Sequence, residues 1–409
     1  SATPASLDVS LSAAYVQAVT VDYAVTGGDA TGGGVDYTLA AGTLTFDPND
    51  LAKTIDITVV DDGDNESDET IEVTLSNPGN ATLGANTVHT YTILDNEVGT
   101  IDVYTYAELR NAVKSQAGPG DIILVHPGVY QMNESRLSPY NGGTPGNPIT
   151  VRGVMDGQQR PILEPAVDQE VDRAFFYIWP DDSNWVFENL EFRDLRGLNV
   201  LYSPNAGAFY VRGDNVTVDN CYIHDCDQGV SSSSSAENVL LEYTEIHNCG
   251  TDLNLGFAHS MYMDTTSLTV RGCYSHDAYG GMLFKVRSGH HVLEYCWLEN
   301  DGSEQCIANA ASGNANNALW RGNVFIKRST PGGQRRMLSF DDGTGLIGTV
   351  TLINNTIISA TTSDIYLTSA SSNACDLVLK NNLFAGPSDM LLDWNGGGTI
   401  TGTSNCFRT

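Results

Sequence analysis

Beyond residue 98 one arrangement of apolar and polar positions returns eight times: an alternating apolar strand, a polar pair, then a second short strand. The copies are Trp185-Val-Phe-Glu-Asn-Leu190, Val216-Thr-Val-Asp-Asn-Cys221, Val239-Leu-Leu-Glu-Tyr-Thr244, Leu268-Thr-Val-Arg-Gly-Cys273, His291-Val-Leu-Glu-Tyr-Cys296, Ala318-Leu-Trp-Arg-Gly-Asn-Val324, Val350-Thr-Leu-Ile-Asn-Asn-Thr356 and Leu377-Val-Leu-Lys-Asn-Asn-Leu383. Their last residues are separated by 31, 23, 29, 23, 28, 32 and 27 positions. Period-two alternation marks strands. A short unit that cannot bury its apolar face alone must stack on copies of itself. The spacing predicts one coil of a parallel β-helix per copy, with loops of variable length inserted on some turns.

Stacked coils place equivalent residues about 4.8 Å apart, so the register can be read from what falls in column. Cys221, Cys273 and Cys296 share one column, Cys226 and Cys249 a second, and His224, His247 and His276 a third. A Cys226–Cys249 disulfide is expected, with Cys273 and Cys296 either bonded or stacked as buried thiols. The histidines are expected to stack as rings, because a line of ligands lacks the convergence a tetrahedral metal requires. Thr105-Tyr-Ala-Glu108 is a capping box ahead of Leu109, Ala112 and Val113. It predicts an amphipathic helix to about Gln116 that closes the open end of the coil.

Residues 1–97 follow another rhythm. Thr54-Ile-Asp-Ile-Thr-Val-Val60, Thr70-Ile-Glu-Val-Thr-Leu75 and His89-Thr-Tyr-Thr-Ile-Leu94 alternate between Gly, Asn and Asp turns, the pattern of half-buried antiparallel strands in a sandwich. The segments Asp36-Tyr-Thr, Gly42-Thr-Leu-Thr-Phe46, Val60-Asp-Asp, Glu66-Ser-Asp-Glu-Thr70 and Ile93-Leu-Asp-Asn-Glu97 closely resemble the Calx-β module. Some such modules hold calcium in acidic loops. Here Asp61, Asp62, Asp64, Glu66 and Asp68, with Asp95 and Glu97, offer the oxygen donors a hard cation takes; the other reading is a solvated acidic rim. The fold class is therefore all-β: a Calx-β-like β-sandwich over residues 1–97 and a right-handed parallel β-helix with a capping helix over residues 98–409.

Charge narrows the partners. The chain carries 20 Lys+Arg against 50 Asp+Glu, a net charge of −30. The first 97 residues hold one cation, Lys53, and 16 acids, which leaves 19 cations and 34 acids for the remainder, so each part is at −15. Nucleic-acid binding needs a basic surface and is not expected. A polyanionic substrate would require basic groups concentrated locally. The sequence has no run of 18 apolar residues, so membrane insertion is not expected, and Ser1 opens no signal-peptide pattern. The composition fits a secreted or cell-surface protein, expected as a mature or trimmed chain and a monomer.

Pro119-Gly-Asp-Ile-Ile-Leu-Val-His-Pro-Gly-Val-Tyr130 and Gly146-Asn-Pro-Ile-Thr-Val151 resemble the opening of pectate-lyase-like β-helices, most nearly the family of alginate lyases and chondroitinase B. Counting back 11 and 9 residues from three repeat ends brings Tyr210 and Arg212, Tyr262 and Asp264, and Lys285 and Arg287 into line. Alternation turns Met282, Phe284 and Val286 inward, and Leu283, Lys285 and Arg287 outward. Asn309, Ser339, Asp341 and Tyr366 continue the outward set. Arginine forks and aromatic rings on a flat sheet suit an extended anionic glycan. Elimination from a uronate needs a neutralised carboxylate, a base for the C5 proton and a donor for the leaving oxygen. Lys285 is the candidate base, because Arg287, about 7 Å along the same face, disfavours its charged form. Tyr262 is the candidate donor, with His259 and His276 in reserve for either role. Arg287, Arg212 or a bound Ca²⁺ would neutralise the carboxylate, and Tyr210, Arg212, Asp264, Asn309 and Asp341 would bind the chain.

Gly280-Gly-Met-Leu-Phe-Lys-Val-Arg-Ser288 resembles the family segment that carries its catalytic lysine, and Lys285 falls on that position. The next coil departs: Ser303-Glu-Gln-Cys-Ile-Ala-Asn-Ala310 has Asn309 in place of the family's arginine. Glycines 280 and 281 stand where its acidic metal ligand is expected. Glycoside hydrolysis, the alternative chemistry, needs two carboxyls about 5–9.5 Å apart. Asp264 and Asp341, three coils apart, are too distant at about 14 Å, and Asp225 and Asp227 belong to a turn. A non-catalytic glycan-binding or adhesion protein is the remaining alternative.

Overall fold

The computed structural model describes residues 3–60, 68–94, 98–196, 206–250, 258–279, 281–300, 308–310, 315–328, 336–340, 347–360, 365–370, 375–386, 390–394 and 398–408. The chain divides into two compact units, Ser1–Gly99 and Thr100–Thr409. In the first, Thr3–Ser10, Ala52–Val59 and Tyr37–Thr38 form one antiparallel sheet. Gly42–Phe46, Val19–Gly27, Glu69–Gly79 and Val88–Ile93 form the other. Alternate residues Ile55, Ile57, Ile71 and Val73 supply its buried core with Leu7 and Tyr37, as period-two patterning requires for a sandwich.

The second unit is a parallel β-helix with sheets of twelve, eleven and nine strands among the described residues. Each repeat contributes one strand to the twelve-stranded sheet and, after one left-handed residue, one to the eleven-stranded sheet. Asn189, Asn220, Tyr243, Gly272, Tyr295, Gly322, Asn354 and Asn381 are those residues, all at φ between 45° and 67°. Asn and Gly adopt this conformation at least cost, which explains their presence in six of the eight copies. Gly272 and Gly322 alternate with Tyr243 and Tyr295 for a second reason: a Cβ on either glycine would lie 2.7–2.8 Å from the neighbouring tyrosine ring.

The next column runs Leu190, Cys221, Thr244, Cys273, Cys296, then Asn323, Asn355 and Asn382. The asparagine amides hydrogen-bond rung to rung at 3.0–3.1 Å, so the turn's buried polar groups are satisfied. Cys296 N–H donates to Asn323 Oδ1 at 2.9 Å, which makes Asn323, not Val324, its equivalent. The step there is 27 residues, one fewer than the sequence count. Cys221, Cys226, Cys249, Cys273 and Cys296 are all buried free thiols. The expected Cys226–Cys249 disulfide is not formed. Cys226 Sγ donates to the His224 carbonyl at 3.1 Å and Cys249 Sγ to that of His247 at 3.4 Å, and burial, with the neighbouring Cys249 thiol adding, holds the Cys226 thiol well above its ordinary pKa.

At the first end, Thr105 caps helix Tyr106–Asn111 in a complete capping box with Glu108, and a π-turn Ala112–Gln116 extends it. Leu109, Ala112 and Val113 are fully buried against the first coils. No helix among the described residues is long and apolar enough to cross a membrane.

Candidate active-site groove

The nine-stranded sheet brings one outward residue from each coil into a single column: Tyr177, Tyr210, Ser231, Tyr262, Lys285, then the backbone of Asn309 and Ser339. Alternation does the placing. Met261 and Met263 flank Tyr262 and are buried, Phe284 and Val286 flank Lys285 and are buried, and Tyr262 and Lys285 reach partly into solvent. Leu283 departs from the outward expectation; it is fully buried in the core. Ser231 was not foreseen in the column. Its coil is two residues longer than its neighbours between this strand and the turn, so counting back from Thr244 reaches Ser233 instead.

A small residue between two tyrosines makes a depression. Serines 231 to 234 form part of a groove of about 560 Å³, walled by Tyr210 and Tyr262 and closed by Arg173, His259, Asp264, Lys285 and Arg287. Lys285 Nζ lies 5.5 Å and Arg287 Cζ 5.7 Å from the centre of the Tyr262 ring. The imidazole of His259 stacks on the same ring, 5.6 Å between centroids and 9° between planes.

His259 is fully buried, and its Nδ1 accepts the Met282 N–H at 3.0 Å. Its proton therefore sits on Nε2, a buried atom with no hydrogen-bond partner. Burial, with the charges of Lys285 and Arg287 adding, pushes its pKa down to about 3. The ring is a neutral donor, not the reserve base suggested by the sequence. Burial raises the Asp264 carboxyl above its ordinary range, and Arg287 pulls the other way. The Asp264 N–H donates to Ser232 Oγ at 2.8 Å.

His276 does not belong to the groove. It sits in the eleven-stranded sheet, in register with His247 and His224, its ring stacked 4.9 Å from that of His247 and bonded to Asp277 and Glu245 at 2.7 and 3.3 Å. It faces another side of the coil because it comes from the second strand of its repeat. The three rings stack in a line, and no group of three or more metal-binding side chains occurs among the described residues.

Of the other expected residues, Arg212 is one strand position beyond Val211 and lies over the Trp179 ring at 5.0 Å. The Asn309 backbone pairs with Lys285. Asp341 lies outside the described residues, as do Asp61, Asp62, Asp64, Glu66, Asp95 and Glu97. Calcium at the groove does not fit its donors. Asp264 is the one carboxylate among its described lining residues, whereas Ca²⁺ takes six to eight oxygens. A Cβ at Gly281, where the resemblance expects an acidic ligand, would fall 1.5 Å from the Ala258 carbonyl oxygen, so that position is closed to any side chain.

The sequence reading passed over Arg136, Arg173, Tyr177 and Trp179. Arg136 Cζ lies 4.6 Å from the Tyr177 ring and 5.5 Å from that of Trp179, and Arg173 Cζ lies 5.1 Å from Tyr210. Strand Ala174–Ile178 is buried at every position. It presents no alternation from which an outward tyrosine could be read.

Residues 1–97 match the Calx-beta domain family, and residues 178–325 match the family of the right handed beta helix region. Among curated proteins no sequence matches the chain. An alginate lyase from Paenibacillus sp. str. FPU-7 is similar in structure, with a TM-score of 0.53 at 14% identity over 74% of this chain and 99% of that one. A GH136 lacto-N-biosidase from Eubacterium ramulus gives 0.47 at 14% identity over 74% and 64%. A PL6 family polysaccharide lyase from Pseudopedobacter saltans gives 0.42 at 12% identity over 75% and 92%. At these identities the likeness to the Paenibacillus enzyme establishes the β-helix fold.

Proposed function

We propose that the β-helix acts on an anionic, uronate-containing polysaccharide and cleaves it by β-elimination in the groove around Tyr262. One observation carries this reading: Lys285, Arg287 and a neutral, buried His259 converge on a single tyrosine ring in a groove. Cations gathered there in a chain of net charge −30 point to an anionic ligand. Lys285, as the free amine, takes the C5 proton. The electron pair forms the C4–C5 double bond as the C4–O bond breaks, and the Tyr262 phenol gives its proton to the leaving oxygen. Arg287 stabilises the carboxylate on which charge accumulates. His259 positions Tyr262 by stacking.

The hydrolytic alternative lacks its second carboxyl among the described residues of the groove. The likeness in fold to an alginate lyase supports a carbohydrate substrate, and a polysaccharide substrate favours a location outside the cell. Incubation with alginate, polygalacturonate, hyaluronan and chondroitin sulfate tests the reading. Ultraviolet absorbance from a new unsaturated uronate supports elimination. New reducing ends without that absorbance, or binding with neither, would overturn it in favour of hydrolysis or adhesion.

A further inference from the structure

The Arg136–Tyr177–Trp179–Arg212 cluster lies on the same sheet face as Lys285 but takes no part in the elimination. Tyr177 is four rungs from Lys285, by way of Tyr210, Ser231 and Tyr262, and Leu137 bridges Phe176 one rung further out. At about 4.8 Å per rung the separation is about 19 Å, the scale of an oligosaccharide of about four units. The Tyr177 and Trp179 rings lie 4.5 Å apart at a 39° tilt, and Tyr210 meets Tyr177 edge-on at 4.9 Å, so three rings pave the strip between two arginines.

The charges here are unusual for this protein. Several arginines on the coil's other sheets are paired with carboxylates: Arg152 with Glu188, Arg193 with Glu164, Arg271 with Glu242 and Glu294. Arg136 pairs with Asp172 at 2.7 Å. Arg173 and Arg212 have no carboxylate partner among the described residues and lie over rings instead. The Arg212 Nε is buried without a hydrogen-bond partner among the described residues. Arg173 is also held at φ 74°, a backbone conformation unfavourable to a residue with a Cβ. Such strain persists where surrounding structure fixes it, commonly at a ligand site.

We propose that Arg212, Tyr177 and Trp179 form a second, anion-selective sugar site about four rungs from Lys285, which holds an acidic unit of the same glycan whose scissile bond lies at Tyr262. This rests on the uronate-glycan reading of the groove. Rings supply a stacking surface for the sugar, and the Arg212 guanidinium, with no carboxylate partner among the described residues, takes its carboxylate or sulfate. A chain of two units cannot reach both places, and one of six can.

Calorimetry on the Lys285→Ala protein, in which turnover is expected to be slow, reads this site separately from catalysis. The probes are dimers and hexamers of alginate, polygalacturonate and hyaluronan, with cellohexaose as the neutral control. At least one acidic hexamer is expected to bind ten-fold or more tighter than its dimer, and cellohexaose is expected not to. Adding Arg212→Ala and Trp179→Ala should abolish the hexamer's advantage and leave dimer binding within two-fold. Equal hexamer affinity with and without those two changes, or no acidic hexamer preferred over its dimer, overturns the second site. Absence of elimination by the wild-type protein, with the hexamer preference intact, overturns the lyase reading and leaves this site standing.

Discussion

On the twelve-stranded sheet Arg271 lies between Glu242 and Glu294, and Arg321 closes on Glu294 from the next coil. Along the nine-stranded side of the same β-helix Arg173 and Arg212 lie over aromatic rings, and Lys285 and Arg287 face Tyr262. Both faces are flat, parallel and built by the same repeat, so backbone geometry does not account for the difference. Acidic side chains are abundant, 50 against 20 cations, and pairing each arginine would have been simple. A cation ladder with its carboxylates in place satisfies itself. Arg173 and Arg212, set against rings with no carboxylate partner among the described residues, leave their charge for a ligand.

The sharpest way to break this contrast is to remove one cation from each face's logic. Lys285→Ala is expected to lower turnover by about 10²–10⁴-fold, the usual contribution of a general base, with the thermal midpoint unchanged. A full-activity variant would remove Lys285 from the chemistry. The same variant should also let the His259 pKa rise, since the Lys285 charge helps to depress it; imidazole NMR titration reads that shift.

Acid should separate the faces next. His259 and His291 are buried with pKa values pushed down to about 3 and about 4, mainly by burial. In the unfolded chain they take up protons near pH 6.5, so the folded state binds fewer protons than the unfolded one below that pH. Stability they contribute is complete above about pH 6.5 and is lost as pH falls toward 4 and 3, a change on the order of a few kcal/mol. Asp182, pushed up to about 6 by burial beside Asp181, works the other way and reduces the loss. Urea unfolding at pH 7 and pH 4.5 measures the balance. A β-helix as stable at 4.5 as at 7 would mean the buried histidines do not govern it.

Glu294→Gln tests the self-satisfied face. Glu294 is 2% exposed, and although burial raises its carboxyl, hydrogen bonds from Arg271 and Arg321 outweigh that and hold it below the ordinary range. Weakening those charged hydrogen bonds should cost about 1.5–3 kcal/mol in denaturant unfolding and leave polysaccharide cleavage intact. Lost activity at unchanged stability would show that the two faces are not functionally distinct.

The parts legible in the sequence were those where period two met a buried face. Met261 and Met263 around Tyr262, and Phe284 and Val286 around Lys285, declare their strands, so the column could be counted. Where that signal lapsed, the reading lapsed with it. Ala174–Ile178 is apolar throughout and hid Tyr177, and the longer serine coil shifted Ser231 out of the count. Leu283 lies outside the short strand Phe284–Val286, so strand alternation did not apply to it. His276 aligned correctly with its column, but a column says nothing of which sheet it belongs to. Cys226 and Cys249 were rightly stacked, and a shared column fixed their proximity without fixing a bond.

Calcium offers the smallest effect and a comparison of the two units. The acidic positions of the first unit supply hard-cation donors by composition, and the groove does not, with Asp264 as its one described carboxylate. Calcium at a few times its dissociation constant is expected to add about 1 kcal/mol to the first unit, a rise of about 4–8 °C in its melting transition. Cleavage by the β-helix should be unaffected by EDTA, because Arg287 neutralises the uronate there. If EDTA leaves the first transition in place and stops cleavage, the cation belongs to the groove, and Arg287 is not the group that balances the substrate carboxylate.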